Sequence, residues 1–318
     1  MPRKTGKAAA SHLQLVGTLS EWQSRHVLAR DGLKLHLREI GNRAGQDVPV
    51  ICLPGLSRNA DDFEVIGRAL AETGDRWVLA LDSRGRGGSE YDPDWRRYDL
   101  QVELDDLFTV LDALAVPRAI FFGTSRGGLL TAMTSIARPN LLAAAILNDI
   151  GPVIEGRGLA RIRGYVGKLP QPKTYADAEH ILRQVFGTHF TDMPPDAWNR
   201  FARRTWAEGP KGLVPRYDPN LMRPLAELDL EKPLPVLWPQ FEPLAAVPMM
   251  VIRGELSDIL SAETARAMVE RHPNARLHEV VYQGHAPILE DAPTIEAVRA
   301  FVETIREATA SSGTPALR

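Results

Sequence analysis

A single cysteine in 318 residues, Cys52, rules out any intramolecular disulfide. It sits in the apolar run Val48 to Leu53, where a buried, inert thiol is expected, and such sparing use of cysteine suits a reducing compartment. Neither sign of charge is in excess. The 38 Lys and Arg against 40 Asp and Glu leave a formal −2, which gives no long-range pull on nucleic acid or an anionic membrane. Long hydrophobic runs are missing too: no stretch has the apolar length of a transmembrane helix, and Met1 to Gln14 is basic without the apolar core of a signal peptide. A cytoplasmic protein is expected, with no membrane or nucleic-acid partner and a loose tail over residues 1–20. The eight histidines show no metal-ligand spacing, so no metal is expected either.

What is present is an alternation of strands and helices. Hydrophobic content of 44% and charged content of 25% are those of an ordinary globular chain. Glu21 to Leu28 and Leu33 to Glu39 read as a hairpin turning at Asp31-Gly32. Val48 to Leu53, Trp77 to Leu81, Arg118 to Phe122 and Ala143 to Asn148 are short apolar runs without polar alternation, as in strands covered on both faces. Helical spacing recurs in Asp62 to Glu72, Tyr98 to Leu114 and Leu129 to Ile136. From Gly151 to about Leu244 the texture shifts to prolines, aromatics and helical patches at Tyr175 to Phe186 and Pro195 to Trp206. Alternation then resumes with Met249 to Arg253, Ala262 to Glu270, Arg276 to Val281 and Thr294 to Ala308. The expected architecture is α/β: a doubly wound, mostly parallel sheet built from residues 21–150 and 245–309, helices on both faces, and a helical cap inserted over 151–244. The end from Ala310 reads as untethered.

Gly123-Thr124-Ser125-Arg126-Gly127-Gly128 lies where one of those strands meets a helix. So tight a turn forces an uncommon backbone conformation on Ser125, needs small neighbours on both sides, and presents the hydroxyl at the sheet edge. A serine hydroxyl needs a base, and the base needs an orienting acid. His285, in Gln283-Gly284-His285-Ala286-Pro287, is the one histidine on a loop following a strand at the same end of the sheet. For the acid, Asp258 is the expected residue, just past Met249 to Arg253, with Glu255 beside it and Asp149 at the preceding strand end as alternatives. Asp149 also reads as a hinge residue bonding backbone. The backbone N–H groups of Leu56, after Pro54-Gly55, and of Arg126 are the candidate oxyanion donors. An imidazole base must be neutral, so activity is expected to fall below about pH 6–7.

Other motifs read more plainly. Asp82-Ser83-Arg84-Gly85-Arg86-Gly87-Gly88-Ser89 lacks the Lys-Ser/Thr ending of a phosphate loop and reads as a tight structural turn. Asp61-Asp62 reads as a helix-start device and Asp105-Asp106 as an exposed face. Arg157, Arg161 and Arg163 are candidates to receive a substrate carboxylate, and Trp206 and Trp238 candidates to contact substrate.

Together Leu53-Pro54-Gly55-Leu56-Ser57, the Asp82 to Ser89 loop, Gly123 to Gly128, the Asp258 loop and Gly284-His285 make the chain resemble the α/β-hydrolase superfamily over roughly Trp22 to Ala308. The resemblance implies an eight-stranded sheet, a lid after the sixth strand, no cofactor and a Ser–Asp–His triad in the order Ser125, Asp258, His285. Within the superfamily the chain looks most like capped carboxylesterases and enol-lactonases. Pro54-Gly55 stands where many relatives have His-Gly, a poorer match to carbon–carbon bond hydrolases, and serine at 125 argues against epoxide hydrolases and haloalkane dehalogenases, which need a carboxylate nucleophile there. The expected function is hydrolysis of an ester or lactone of a small organic molecule through an acyl-enzyme. A carbon–carbon bond hydrolase using the same triad and a ligand receptor on a hydrolase scaffold are the alternatives.

Overall fold

The apolar runs form the inner strands of the sheet, which are covered from both sides, whereas the two edge strands are largely exposed. The computed structural model describes residues 18–72, 74–227, 229–230 and 232–311. β1 (Thr18–Leu28) and β2 (Lys34–Asn42) make the opening hairpin. β3 (Val50–Leu53), α1 (Glu64–Glu72), β4 (Trp77–Leu81), α2 (Leu100–Ala113), β5 (Ala119–Thr124), α3 (Arg126–Ala137) and β6 (Leu142–Asn148) follow. Every residue of β3, β4, β5 and β6 is buried.

After β6 comes a segment built of α4 (Gly156–Tyr165), α5 (Tyr175–Phe186), α6 (Pro195–Thr205), a ribbon of β7 (Trp206–Gly209) and β8 (Gly212–Pro215), and the one-turn helices α7 (Arg223–Ala226) and α8 (Trp238–Phe241). The chain closes with β9 (Met249–Gly254), α9 (Ala262–Arg271), β10 (Ala275–Val280) and α10 (Ala292–Ser311). The tail expected over 1–20 lies outside the described residues as far as residue 17, and Thr18 to Ser20 belong to β1. The untethered end expected from Ala310 likewise lies outside them beyond Ser311.

The eight-stranded sheet has the order β1-β2-β4-β3-β5-β6-β9-β10, parallel except for the pairings of β1 with β2 and β2 with β4. Alternate strand residues feed two separate apolar layers. Ile51, Leu79, Phe121, Leu147 and Val251 pack with Leu104, Leu107 and Leu111 of α2 and Leu130 of α3. Val50, Val78, Phe122, Ile146 and Ile252 pack with Ile66 and Leu70 of α1 and Val298 and Phe301 of α10. Side chains buried this fully contribute about 1.5–3 kcal/mol each, which secures the register of the strands. Cys52 lies in the second layer, where burial pushes its thiol pKa up and keeps it inert.

The strand order reverses at β3 and β5: β3 leads to β4 on one side, and the chain then returns to β5 on the other. A crevice at the carboxyl ends of the strands belongs at such a reversal, and there the loops after β3 and β5 face each other. Among the described residues no helix is long and apolar enough to cross a membrane, and no three His, Cys, Asp or Glu side chains group as a metal site.

Candidate active site

Ser125 is wedged between β5 and α3 with φ 51° and ψ −115°, a strained conformation for a residue with a side chain. The glycines around it permit the turn. A Cβ on Gly127 would stand 2.0 Å from the Leu53 carbonyl oxygen, and one on Gly123 would stand 2.4 Å from the Gly127 backbone. Strand, serine and helix can meet only where those positions carry no side chain.

The Ser125 hydroxyl lies 2.9 Å from His285 Nε2, and His285 Nδ1 lies 2.8 Å from Asp149 Oδ2. The acid on the imidazole is therefore Asp149, and the expectation of Asp258 is corrected. The physical reason is register. Thr124 of β5 pairs with Asn148 of β6, so Ser125 and Asp149 emerge side by side at the ends of neighbouring strands. Asp149 takes the left-handed conformation, φ 57°, that aspartate tolerates better than most residues. It is fully buried, and its carboxylate also accepts the Gly254 N–H at 2.9 Å and the Ser257 hydroxyl at 2.6 Å. With Nδ1–H donated to this anchored carboxylate, the imidazole holds the tautomer that leaves Nε2 free to accept from Ser125. Asn148 ties down the histidine loop by donating to the Pro287 carbonyl at 3.0 Å.

Asp258 sits four residues beyond the end of β9 and faces α4. Arg161 donates to it from Nε at 2.5 Å and from Nη2 at 2.8 Å. Burial works to raise the Asp258 pKa, but the guanidinium outweighs it and holds the carboxyl below its ordinary range. Glu255, the other alternative, accepts the Tyr282 N–H.

A cavity beside Ser125 and His285 is walled by Gly55, Leu56 and Arg58 from the loop after β3 and by Ile162, Tyr165, Leu182, Phe186, Phe190 and Phe201 from the segment between β6 and β9. Arg204, Thr205, Tyr217 and Asp62 add polar groups to the lining. Arg58 grips Asp62 from Nε (2.8 Å) and Nη2 (2.5 Å) and donates to Thr205 Oγ1 at 2.8 Å, which joins core to inserted segment at the cavity wall. Leu56 borders this cavity and Arg126 opens α3. Among the described residues neither of their N–H groups enters a backbone hydrogen bond. Two undirected donors at a strand end and a helix start suit a developing negative charge.

The expected substrate contacts fall elsewhere. Arg157 is exposed, Arg161 is spent on Asp258, and Arg163 is half-buried on the same helix. Trp206 is buried in the aromatic cluster of the inserted segment, and Trp238 lies 3.9 Å beneath the Arg271 guanidinium. None of these lines the cavity; Arg58 and Arg204 supply its guanidinium groups, and nothing in their local sequence marks them. The expectation of an exposed Asp105-Asp106 pair is corrected at Asp106, which is buried and takes Arg84 in a two-pronged bond at 2.7 Å. In the glycine-rich loop the Asp82 carboxylate accepts N–H groups from Ala60 and Gly88, closing a structural turn.

Fold and site together define a hydrolase class, and the comparisons agree. The chain belongs to the alpha/beta hydrolase family, whose model matches residues 50–298. A 3-hydroxybutyrate-oligomer hydrolase of Cupriavidus necator is 31% identical over 278 residues, covering 84% of this chain and 92% of its own. The crystal structure of an alpha/beta hydrolase from Novosphingobium aromaticivorans superposes with a TM-score of 0.83 at 39% identity, over 89% of this chain and 98% of that one. An esterase from Exiguobacterium antarcticum shares the fold at 19% identity and a TM-score of 0.65, over 88% of this chain and 100% of its own.

Proposed function

We propose that the protein hydrolyses a carboxylic ester of a small organic molecule through an acyl-enzyme on Ser125. The observation that carries this is one imidazole joining Ser125 at 2.9 Å to a buried carboxylate at 2.8 Å, at the wall of a cavity. His285 Nε2 takes the hydroxyl proton as Ser125 Oγ attacks the carbonyl carbon. Asp149 steadies the imidazolium, and the Leu56 and Arg126 amides hold the negative oxygen. The tetrahedral adduct collapses, the bond to the alkoxide breaks, and that oxygen leaves with the histidine's proton. Water then attacks the acyl group, gives a proton to His285, and the acid departs as Ser125 recovers its own.

In this reading the segment over 151–244 is a cap, and its aromatic side chains receive the apolar part of the substrate. The relative named for 3-hydroxybutyrate oligomers supports an ester linkage with oxygen-bearing acyl groups. The Arg204 guanidinium in the cavity lining, whose Nε meets no hydrogen-bond acceptor among the described residues, is suited to such oxygens. The test is Ser125→Ala assayed on short p-nitrophenyl esters and on 3-hydroxybutyrate oligomers. Turnover is expected to fall to background on whichever is cleaved, and wild-type turnover in the variant contradicts the scheme.

A further inference from the structure

A buried carboxylate that takes no part in the Ser125 relay connects the two residues whose amides hold the oxyanion in the reading above. Glu103 lies in the first turns of α2, and its side chain is 1% exposed. Its Oε1 accepts Arg86 Nη1 at 2.7 Å and its Oε2 accepts Arg126 Nε at 2.7 Å. Arg86, itself fully buried, turns its Nε onto the carbonyl oxygen of Leu56 at 2.7 Å. Arg126 reaches the Tyr98 carbonyl from Nη2 at 3.2 Å. A continuous path of charge-assisted bonds thus runs from the Leu56 carbonyl through Arg86, Glu103 and Arg126 to the residue that follows the nucleophile.

Burying charge is costly unless it is paired and hydrogen-bonded, as Glu103 is by Arg86 and Arg126. Desolvation lowers the Arg86 pKa, yet the two guanidiniums overcome the same burial at Glu103 and hold it ionised below the ordinary carboxylate range. A loop peptide such as Gly55-Leu56 has no helix or strand to hold it, and a misplacement of about 1 Å in a catalytic group can cost about a hundredfold in rate. Resting on the oxyanion assignment above, we propose that Glu103, acting through Arg86 and Arg126, is a positioning residue that sets the spacing between the Leu56 and Arg126 amides. None of the three side chains lines the cavity. The cluster acts on the donors alone.

Two variants test this, Glu103→Gln and Arg126→Met. The first removes the charge while keeping the shape. The second keeps the Arg126 amide and removes only its guanidinium, which is partly exposed and so less costly to the fold. Both are assayed for kcat, KM, melting temperature and affinity for phenylboronic acid. The Ser125 oxygen adds to its boron as His285 takes the proton, the boron becomes tetrahedral and anionic, and one of its hydroxyl oxygens faces the amides, whereas KM reports the ground state. The expected result is a roughly tenfold to hundredfold loss in kcat with a parallel loss in boronate affinity, KM within about twofold, and partial recovery in Arg126→Lys. Wild-type kcat and boronate affinity in folded Arg126→Met, with only the melting temperature lowered, would make the cluster purely structural and overturn the proposal. That result is distinct from failure of the underlying scheme, which Ser125→Ala reports independently.

Discussion

Asp149 and Asp258 both follow strands of the same sheet at the same rim, and both lie between the serine and the histidine in the chain, yet they have been put to different uses. Asp149 is the residue immediately after β6 and is tied into the core by Gly254 and Ser257. Asp258 is displaced by a four-residue turn and is claimed by Arg161 of the inserted segment. A carboxylate's role is thus set by which donor reaches it first. The imidazole takes the acid that has no guanidinium, and the other acid becomes a clamp between core and insertion.

The difference can be broken by exchanging the acids for amides. Asp149→Asn should cost about 10⁴-fold in kcat on an ester substrate, because the amide favours the wrong imidazole tautomer. Asp258→Asn should stay within about threefold of wild type, and a loss of a hundredfold or more there would return Asp258 to the relay. Arg161→Met sharpens the contrast with a smaller effect. The pair is largely but not wholly buried, at 18% and 14% exposure, so stability at pH 7 should drop by about 0.5–1 kcal/mol with kcat little changed. Because the Asp258 pKa is lower folded than unfolded, the unfolded chain takes up the proton first as pH falls. The clamp therefore contributes fully above about pH 4, and the gap between wild type and variant should close as pH falls through the lowered pKa. Urea melts at pH 7 and pH 3 check this; a gap unchanged at pH 3 would mean Arg161 stabilises by packing instead.

The sequence made the local parts of this site readable and left the long-range parts hidden. Ser125 was legible because its turn is dictated by its own neighbours, Gly123 and Gly127, whose missing side chains let β5, α3 and Leu53 meet. His285 was legible from its place after the last strand. The acid was not, because three carboxylates at strand ends look alike until the pairing of Thr124 with Asn148 sets Asp149 beside the serine. Glu103 and Asp106 share that difficulty. On an amphipathic helix Asp106 reads as an exposed face and nothing singles out Glu103; Arg84 for the one, and Arg86 with Arg126 for the other, arrive from elsewhere in the chain and make the burial possible. In the inserted segment the helices α5 and α6 announce themselves by period, whereas the ribbon of β7 and β8 is too short to do so.

The relay of Ser125, His285 and Asp149 is tested most directly by the rate of covalent labelling with a fluorophosphonate, followed by intact mass and located by peptide mapping. Wild type and Asp258→Asn should each gain one adduct, on Ser125, at comparable rates, and Asp149→Asn should label at least about a hundredfold more slowly. An adduct on another residue, or an Asp149→Asn variant that labels as fast as wild type, would contradict the account.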